Sequence, residues 1–226
     1  MLHVPEVLSP DALAKIRALL NQASWEDGRV TAGTQSEQVK NNRQLAENSD
    51  AAKEGRAIVL DALGRNGLFF SAVLPKKIFP PLFNRYDGAT NSFGSHIDNA
   101  VRTLRGTNLH VRTDVSATLF LSDPDEYYGG ELVVEDTFGT RAVKLPAGDL
   151  LLYPSSSVHR VEPVTRGSRI ASFFWIESMV RQDEQRRLLF DLDMSILALR
   201  QQSGETEPVV RLTGCYHNLM RMWADL

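Results

Sequence analysis

The sequence has almost no cysteine: Cys215 is the single one among 226 residues. No disulfide can therefore form within the chain, which fits a reducing compartment. Long apolar runs are also missing, since none approaches the roughly 18 to 20 residues that a membrane-spanning helix needs. The first residues, MLHVPEVLSPDALAKIR, lack the basic start and apolar core of a secretion signal. We predict a cytoplasmic protein with no membrane partner.

The chain also lacks a strong charge of one sign. Its formal net charge is −3, and lysine and arginine are scattered without a basic block. A nucleic-acid partner is therefore not expected. Hydrophobic residues at 42% and charged residues at 23% are typical of a globular protein. The length allows one large domain, or one domain with helical additions.

Two helices are predicted in the first third of the chain. The first starts at Pro10 behind a serine cap and carries an amphipathic stripe that ends near Gln22. The second starts at Asp50, also behind a serine, and runs to about Gly64. The mixed polar stretch 28–48 between them is predicted to be a loop.

The character of the sequence changes at Gly67. From there short β-rich runs are separated by proline, glycine, asparagine and aspartate, a pattern that predicts an antiparallel sandwich or barrel. These runs are LFFSAVL, KIFPPLFNRY, VSATLFLS, ELVVED, RAVKL, DLLLYP, SVHRVEPV and RIASFFWI.

Helical periodicity returns at Met179 and predicts one long helix and a closing helix. The predicted organisation is a mainly β core with flanking helices. Its parts are an N-terminal helical region packing on the core (1–66), the core (67–178) and a C-terminal helical extension (179–226).

The stretch GSHIDNA contains a candidate pair of metal ligands, His96 and Asp98. Side chains two residues apart on a strand point to the same face, so both could reach one metal ion. A polar surface turn explains the pair equally well when it is taken alone. His159, in a β-like run 63 residues further on, is the best candidate for a third ligand, although a core histidine is the alternative. Two histidines and one carboxylate form the facial triad of non-haem Fe(II) oxygenases, and a zinc site is not ruled out.

Arg169 follows His159 by ten residues, with the turn-like stretch VTRGS between them. This spacing predicts that His159 and Arg169 lie on adjacent antiparallel strands. An arginine that points into a β core is costly unless an anion meets it, and guanidinium suits a carboxylate. A structural ion pair with Glu162 or Glu177 is the alternative. Tyr86 could add a hydrogen bond from its hydroxyl, or could simply be a packing residue.

Together these residues resemble a known family. H-x-D, a distant histidine and an arginine ten residues later are similar to the signature of Fe(II)/2-oxoglutarate dioxygenases. The likeness is closer to the prolyl-4-hydroxylase-like subset, through Tyr86 and the GGEL stretch at 129–132. It is closest to the bacterial PKHD-type hydroxylases associated with iron uptake. The stretches that carry this last likeness are NRYDGATNSFGSHIDNAVR, TLFLSDPDEYYGGELVVED, KLPAGDLLLYPSSSVHRVEPVTRGSR and SFFWIESMVR.

The resemblance implies a double-stranded β-helix, or jelly-roll, core. It implies Fe(II) held by His96, Asp98 and His159, and 2-oxoglutarate held by Arg169 and Tyr86. The implied reaction uses O2, releases succinate and CO2, and hydroxylates a substrate, with ascorbate as reductant. The substrate is a small molecule or a protein side chain, with a link to iron uptake.

Several alternatives stay open at the level of the sequence. The chain could be a non-catalytic sensor of iron and 2-oxoglutarate, or a cupin-like or zinc metalloprotein. The C-terminal helices could pack on the core or form a homodimer interface. Four residues could face the substrate opening, although solvation of the arginines and core packing of the tryptophan explain them as well: Asn99, Arg102, Arg105 and Trp175.

Overall fold

A computed structural model of the chain describes residues 1–31, 34–104 and 106–226. These residues form six α-helices and a 3₁₀ turn at Gly28–Thr31. The helices are α1 (Pro10–Gln22), α2 (Thr34–Val39), α3 (Asp50–Gly64), α4 (Gly67–Val73), α5 (Asp183–Ser203) and α6 (Glu207–Trp223).

The described residues also form 17 short strands. They are β1 (Leu2–Val4), β2 (Trp25–Asp27), β3 (Lys40–Asn41), β4 (Arg43–Leu45), β5 (Pro75–Ile78), β6 (Leu82–Tyr86), β7 (Ser92–His96), β8 (Val101–Thr103), β9 (His110–Arg112), β10 (Val115–Phe120), β11 (Tyr127–Gly129), β12 (Leu132–Asp136), β13 (Gly139–Val143), β14 (Leu150–Pro154), β15 (His159–Val161), β16 (Val164–Gly167) and β17 (Arg169–Ser178).

Two antiparallel sheets build the core. The major sheet has eight strands in the order β1-β14-β10-β17-β6-β4-β2, with β5 pairing to β17 outside this path. The minor sheet has five strands in the order β13-β12-β15-β7-β3. Two-stranded ribbons, β8-β9 and β11-β16, complete the described strands. The prediction of a mainly β, antiparallel core with flanking helices is confirmed.

The major sheet is buried on both faces. Its inner face packs on the minor sheet through a cluster that includes Phe120, Leu151 and Val161. Its outer face is covered by α1, α3 and α4, where Ile16 and Leu20 are among the buried residues. Helices, major sheet and minor sheet therefore form three layers.

Both predicted N-terminal helices are confirmed. Ser9 and Ser49 each accept a hydrogen bond from the backbone N–H three residues later, at 3.3 and 3.2 Å, as helix caps do. The predicted loop at 28–48 is only partly correct, because α2, β3 and β4 lie within it, together with the 3₁₀ turn at Gly28–Thr31. Strands of two or three residues are too short to show the alternation that identifies a strand.

The prediction of a strand at LFFSAVL is wrong, because Gly67–Val73 is helix α4. The Asn66 side chain caps this helix by accepting a hydrogen bond from the Phe69 N–H at 2.8 Å. Phe69 and Val73, four residues apart, are buried on one face, which is helical spacing. Leu74 then ends the helix with a left-handed backbone (φ 44°).

Helices α5 and α6 confirm the predicted C-terminal helices. They pack on each other and near the end of α4, with Leu74, Val180 and Leu189 buried between them. The Arg186 guanidinium, also buried, donates to the carbonyls of Val180 and Arg181 at 2.8 and 2.9 Å. Across the described residues, no helix combines the length and apolar character needed to cross a bilayer.

Candidate metal centre and its pocket

Two of the predicted ligands are a cross-strand pair in the minor sheet. His96 ends β7, His159 begins β15, and the two are partners in the strand register. Both are buried. In each ring Nδ1 lies within hydrogen-bond distance of the backbone carbonyl two residues earlier, Gly94 O at 2.8 Å and Ser157 O at 3.0 Å. Because a carbonyl only accepts, Nδ1 carries the proton and each Nε2 keeps the lone pair that binds metal.

Asp98 completes the group of three. One ligand atom from each of His96, Asp98 and His159 lies within 4.8 Å of the other two. The H-x-D spacing predicts Asp98 on the same strand as His96, but β7 ends at His96 and Asp98 lies just beyond it. Ser116, from the major sheet, donates a hydrogen bond to Asp98 Oδ2 at 2.6 Å and also contacts Ser155. This contact fixes the carboxylate facing the imidazoles.

Burial sets the protonation of His96. The Phe93 ring stacks on its imidazole with ring centroids 3.6 Å apart. Burial, and secondly the charge of nearby His159, lower the pKa of His96 to about 4. The ring is therefore neutral at pH 7, which is the form that binds a metal ion.

Among the described residues, the buried guanidinium of Arg169 has no counter-ion. Arg169 is 1% exposed, and its Nε and Nη1 atoms have no hydrogen-bond partner in that part of the chain. The alternative of an ion pair with Glu162 or Glu177 is wrong. Glu162 pairs with Arg160, and Glu177 lies near Lys77 and Arg112. A buried cation with unsatisfied donors is costly, so this position suits an anion.

The predicted strand arrangement of His159 and Arg169 is wrong. His159 belongs to the minor sheet, whereas Arg169 begins β17 of the major sheet. The stretch between them is not a simple turn, because β16 lies in it and pairs with β11. The two side chains therefore approach the same cavity from opposite sheets.

Gly130, in the GGEL stretch, makes room for Arg169. Its φ is +70°, in the region that favours glycine. A Cβ atom there would lie 2.8 Å from Val164 Cγ2 and 3.1 Å from Arg169 Cδ. This close approach is what the structure adds to the GGEL likeness noted in the sequence.

Tyr86 lies beside Arg169, its register partner in the major sheet. Its ring centroid is 5.3 Å from the guanidinium carbon. The hydroxyl accepts a long hydrogen bond of 3.4 Å from Asn84 Nδ2. Burial raises the pKa of Tyr86, so its hydroxyl stays protonated and can donate to a carboxylate.

All five predicted residues line one cavity between the sheets. Its volume is about 730 Å³, including the space at its open mouth. Asn99, Arg102 and Trp175 line it as well, while Arg105 lies outside the described residues. Several lining residues were not predicted from the sequence, and Ser116, a polar residue inside an apolar strand, had the clearest signal among them. The others are Lys40, Asn42, Asn84, Thr118 and Tyr153.

Lys40 is the least expected of these residues. It lies in β3 and is buried, and its ammonium donates to Gln44 Oε1 at 3.1 Å. Burial, and secondly repulsion from Arg102, lower the pKa of Lys40 to about 7.

The cavity can hold a metal ion and an anion side by side. The two imidazole nitrogens and the carboxylate offer three ligands, the donor set of the non-haem Fe(II) facial triad. The orphaned donors of Arg169 fit a second carboxylate at the far end of a chelating ligand. The residues present therefore fit Fe(II) together with a dicarboxylate such as 2-oxoglutarate.

Comparison with known proteins agrees with this chemistry. A sequence model of the 2OG-Fe(II) oxygenase superfamily matches residues 81–177, and one of the PKHD-type hydroxylase C-terminal domain matches residues 183–225. A PKHD-type hydroxylase of Xanthomonas campestris pv. campestris (strain B100) is 60% identical, covering 100% of both chains. One from Burkholderia lata is 60% identical over 226 residues, covering 100% of this chain and 99% of the relative.

Solved structures show the same fold at low identity. A prolyl hydroxylase of Trichoplax adhaerens, in complex with a hypoxia inducible factor peptide, has a TM-score of 0.55 at 17% identity, covering 83% of this chain and 86% of that one. A prolyl-4-hydroxylase of Pseudomonas putida has a TM-score of 0.50 at 21% identity, covering 78% and 91%. These similarities concern the fold alone.

Proposed function

Since the chain belongs to the PKHD-type hydroxylases of the 2OG-Fe(II) oxygenase superfamily, it is a 2-oxoglutarate-dependent hydroxylase, and we propose that His96, Asp98 and His159 hold its iron. The Nε2 atoms of the two histidines and one oxygen of Asp98 would supply three ligands to the ion. Ser116 keeps the carboxylate in place. A donor set of three would leave coordination positions for the co-substrate and for O2.

Iron(II) bound there activates O2, coupling oxidation of 2-oxoglutarate to succinate and CO2 with hydroxylation of the substrate. Arg169 binds the far carboxylate of 2-oxoglutarate through the donors that lack partners, and Tyr86 donates a further hydrogen bond. Phe93 and Tyr153 pack against the two imidazoles and limit the access of water. Fixing the reactants in a partly dry cavity is the contribution of the chain itself.

One observation carries this proposal: the orphaned Arg169 guanidinium and the three candidate ligands line the same cavity. A zinc or cupin-like metalloprotein gives no reason to bury a guanidinium without a counter-ion. A non-catalytic sensor would use the same residues, and the family's hydroxylases favour an enzyme.

Arg169→Ala tests the assignment of the co-substrate site. We expect the variant to bind 2-oxoglutarate at least about tenfold more weakly, because charge-assisted hydrogen bonds are lost. Its affinity for Mn(II), used in place of Fe(II), should be unchanged. Calorimetric titration of the protein with Mn(II), and then with 2-oxoglutarate, measures the dissociation constants of the two ligands.

Arg166→Ala is the matched control, since that arginine is exposed and stacks on Tyr128 outside the cavity. Equal loss of metal and co-substrate in Arg169→Ala would make Arg169 a structural residue. Independently, adding 2-oxoglutarate to the Fe(II)-loaded protein without oxygen should produce a weak visible absorption band. Its absence in folded, iron-loaded protein would contradict the proposed chelation.

The same proposal includes the type of β core, the reductant, the cellular location, the substrate and the partners. We infer that the two facing sheets are a jelly-roll core, that ascorbate acts as reductant, and that the enzyme is cytoplasmic. The substrate is a small molecule or a protein side chain, and the link to iron uptake rests on the family resemblance. A homodimer formed through the C-terminal helices, and the lack of a nucleic-acid or membrane partner, remain predictions. Succinate release with a panel of candidate substrates, and the mass of the protein in solution, would test them.

A further inference from the structure

The turn between β14 and β15 carries three consecutive serines at residues 155–157, and we call it the serine turn. His159, a candidate metal ligand, lies two residues beyond it. We propose that the Ser155 hydroxyl positions the Asp98 carboxylate for metal binding by acting through Ser116. In this way the serine turn holds two of the three candidate ligands. This inference rests on the proposed function and adds a positioning residue to it.

Two short hydrogen bonds join Ser155 to Asp98. The Ser116 hydroxyl donates to Asp98 Oδ2 at 2.6 Å, and the Oγ atoms of Ser116 and Ser155 are 2.7 Å apart. Ser116 is 2% exposed and Ser155 is 3% exposed. Because both serines are buried, bulk water does not compete for these bonds. The carboxylate is therefore connected through the major sheet to a turn that precedes the strand of His159.

The direction of these hydrogen bonds follows from the number of protons. A serine hydroxyl has one proton, and a carboxylate that binds a metal ion can only accept. Ser116 uses its proton on Asp98, so the proton of the second bond comes from Ser155. Ser155 thus donates to Ser116, and Ser116 donates to Asp98. A hydroxyl that accepts one hydrogen bond while it donates another is polarised and becomes a stronger donor.

Backbone hydrogen bonds hold the serine turn in place. The Ser155 N–H donates to the Asp114 carbonyl at 3.3 Å, and the Ser157 N–H donates to the Pro154 carbonyl at 3.0 Å. Asp114 directly precedes β10, the strand that carries Ser116. These bonds keep the Ser155 side chain beside Ser116 whether or not a metal ion is bound.

The same turn positions His159 through its main chain. The Ser157 carbonyl lies 3.0 Å from His159 Nδ1, a contact that keeps the proton on Nδ1 and leaves Nε2 to bind the metal. Asp98 Oδ2 lies 3.7 Å from that Nε2 atom. The turn therefore acts on the imidazole through a backbone carbonyl and on the carboxylate through a side-chain hydroxyl.

This difference predicts different effects for the three neighbouring serines. Ser155→Ala should weaken Mn(II) binding about three- to tenfold, less than the loss of Ser116, because Ser155 acts one hydrogen bond further from the ligand. Ser157→Ala keeps the carbonyl that contacts His159 and should leave the affinity unchanged. Ser156→Ala, at an exposed position of the same turn, is the matched control. Electron paramagnetic resonance titration of free Mn(II) measures each dissociation constant.

A double-mutant cycle separates positioning through Ser116 from a general effect on packing. In the Ser116→Ala background no hydroxyl remains to carry the effect, so adding Ser155→Ala should change the Mn(II) affinity less than about twofold. A structural effect of Ser155 would instead weaken binding by the same factor in both backgrounds. Urea unfolding of the metal-free variants checks that each is folded under the conditions of the titration.

An unchanged Mn(II) affinity in Ser155→Ala would overturn the inference, and so would equal losses with and without the Ser116 hydroxyl. A loss in Ser156→Ala as large as that in Ser155→Ala would also overturn it, since the whole turn and not one hydroxyl would then be responsible. Failure of the proposed function is distinguishable from these outcomes. In that case the wild-type protein itself would bind no Mn(II), and the inference would fail with it.

Discussion

Ser116 connects the major sheet to a proposed metal ligand of the minor sheet. Its hydroxyl donates to Asp98 Oδ2 at 2.6 Å and is itself buried. Partners of this kind fix the orientation of a ligand before the metal arrives. Ser116→Ala should therefore weaken Mn(II) binding by about 10-fold to 100-fold, which electron paramagnetic resonance titration of free Mn(II) measures.

Ser172→Ala is the matched control for Ser116. Ser172 is a buried serine of the same sheet that does not line the cavity, and its hydroxyl has no partner among the described residues. Its replacement should leave Mn(II) affinity unchanged. If both variants lost affinity equally, the effect of Ser116 would reflect packing of the sheet and not orientation of Asp98.

Lys40 should make the stability of the metal-free protein depend on pH. The pKa of Lys40 is about 7 in the folded chain, below the ordinary value of 10.5 for a lysine side chain in water. Unfolding therefore takes up a proton between these values, so the penalty for burying the charge is full below pH 7 and decreases as the pH rises. Lys40→Met removes this penalty and should stabilise the protein more at pH 6 than at pH 9, by about 2 kcal/mol.

Urea unfolding of wild type and variant at the two pH values measures this difference. Lys53→Met is the control, because that side chain is 63% exposed and keeps most of its hydration. A gain in stability that is the same at pH 6 and pH 9 would show that Lys40 stays protonated in the folded protein throughout.

At the scale of single elements, α4 depends on its cap. The Asn66 side chain accepts from the Phe69 N–H, and the short helix carries Phe69 and Val73 into the core. Asn66→Ala should cost about 1 kcal/mol and lower the melting temperature by about 2 to 4 °C. Thr206, the N-cap of α6, makes no capping hydrogen bond with its side chain. Thr206→Ala should therefore change the melting temperature less, and an equal change would contradict the role of Asn66.

Some helices and strand pairings could be predicted from the sequence, and others could not. Pro10–Gln22 and Asp50–Gly64 were predictable because caps and apolar spacing are local signals. Gly67–Val73 was not, because a run of seven mostly apolar residues fits a buried strand as well as a buried helix. The pairing of β16 with β11 depends on residues far apart in the sequence, so the sheet that His159 joins could not be read from spacing.

The residues of the candidate site also fall into two groups, those that the sequence predicted and those that it did not. His96, Asp98, His159 and Arg169 were found because their residue types and spacing are unusual together, and they do line one cavity. Lys40 and Ser116 were missed, because only the folding of distant strands brings them there. The role of Ser116 in metal binding, like the roles of the predicted residues, remains a prediction that the variants above test.

At the scale of the whole molecule, the three layers differ in how far they are buried by their neighbours. The major sheet is buried between the helices and the minor sheet, and α5 and α6 cover a separate cluster near the end of α4. The minor sheet, in contrast, ends in β13, whose residues are mostly exposed. We therefore expect the minor sheet to be the less protected of the two sheets.

Asp98 binds Ser116 across the layers, and a metal ion on Asp98, His96 and His159 would tie β7 and β15 to the major sheet. Such a clamp should slow amide hydrogen exchange in both strands when Mn(II) is added, while exchange in α5 and α6 stays the same. A ligand at 100 times its dissociation constant stabilises the folded state by about 2.7 kcal/mol. Iron supply in the cell would then set the lifetime of the protein against proteolysis as well as its turnover.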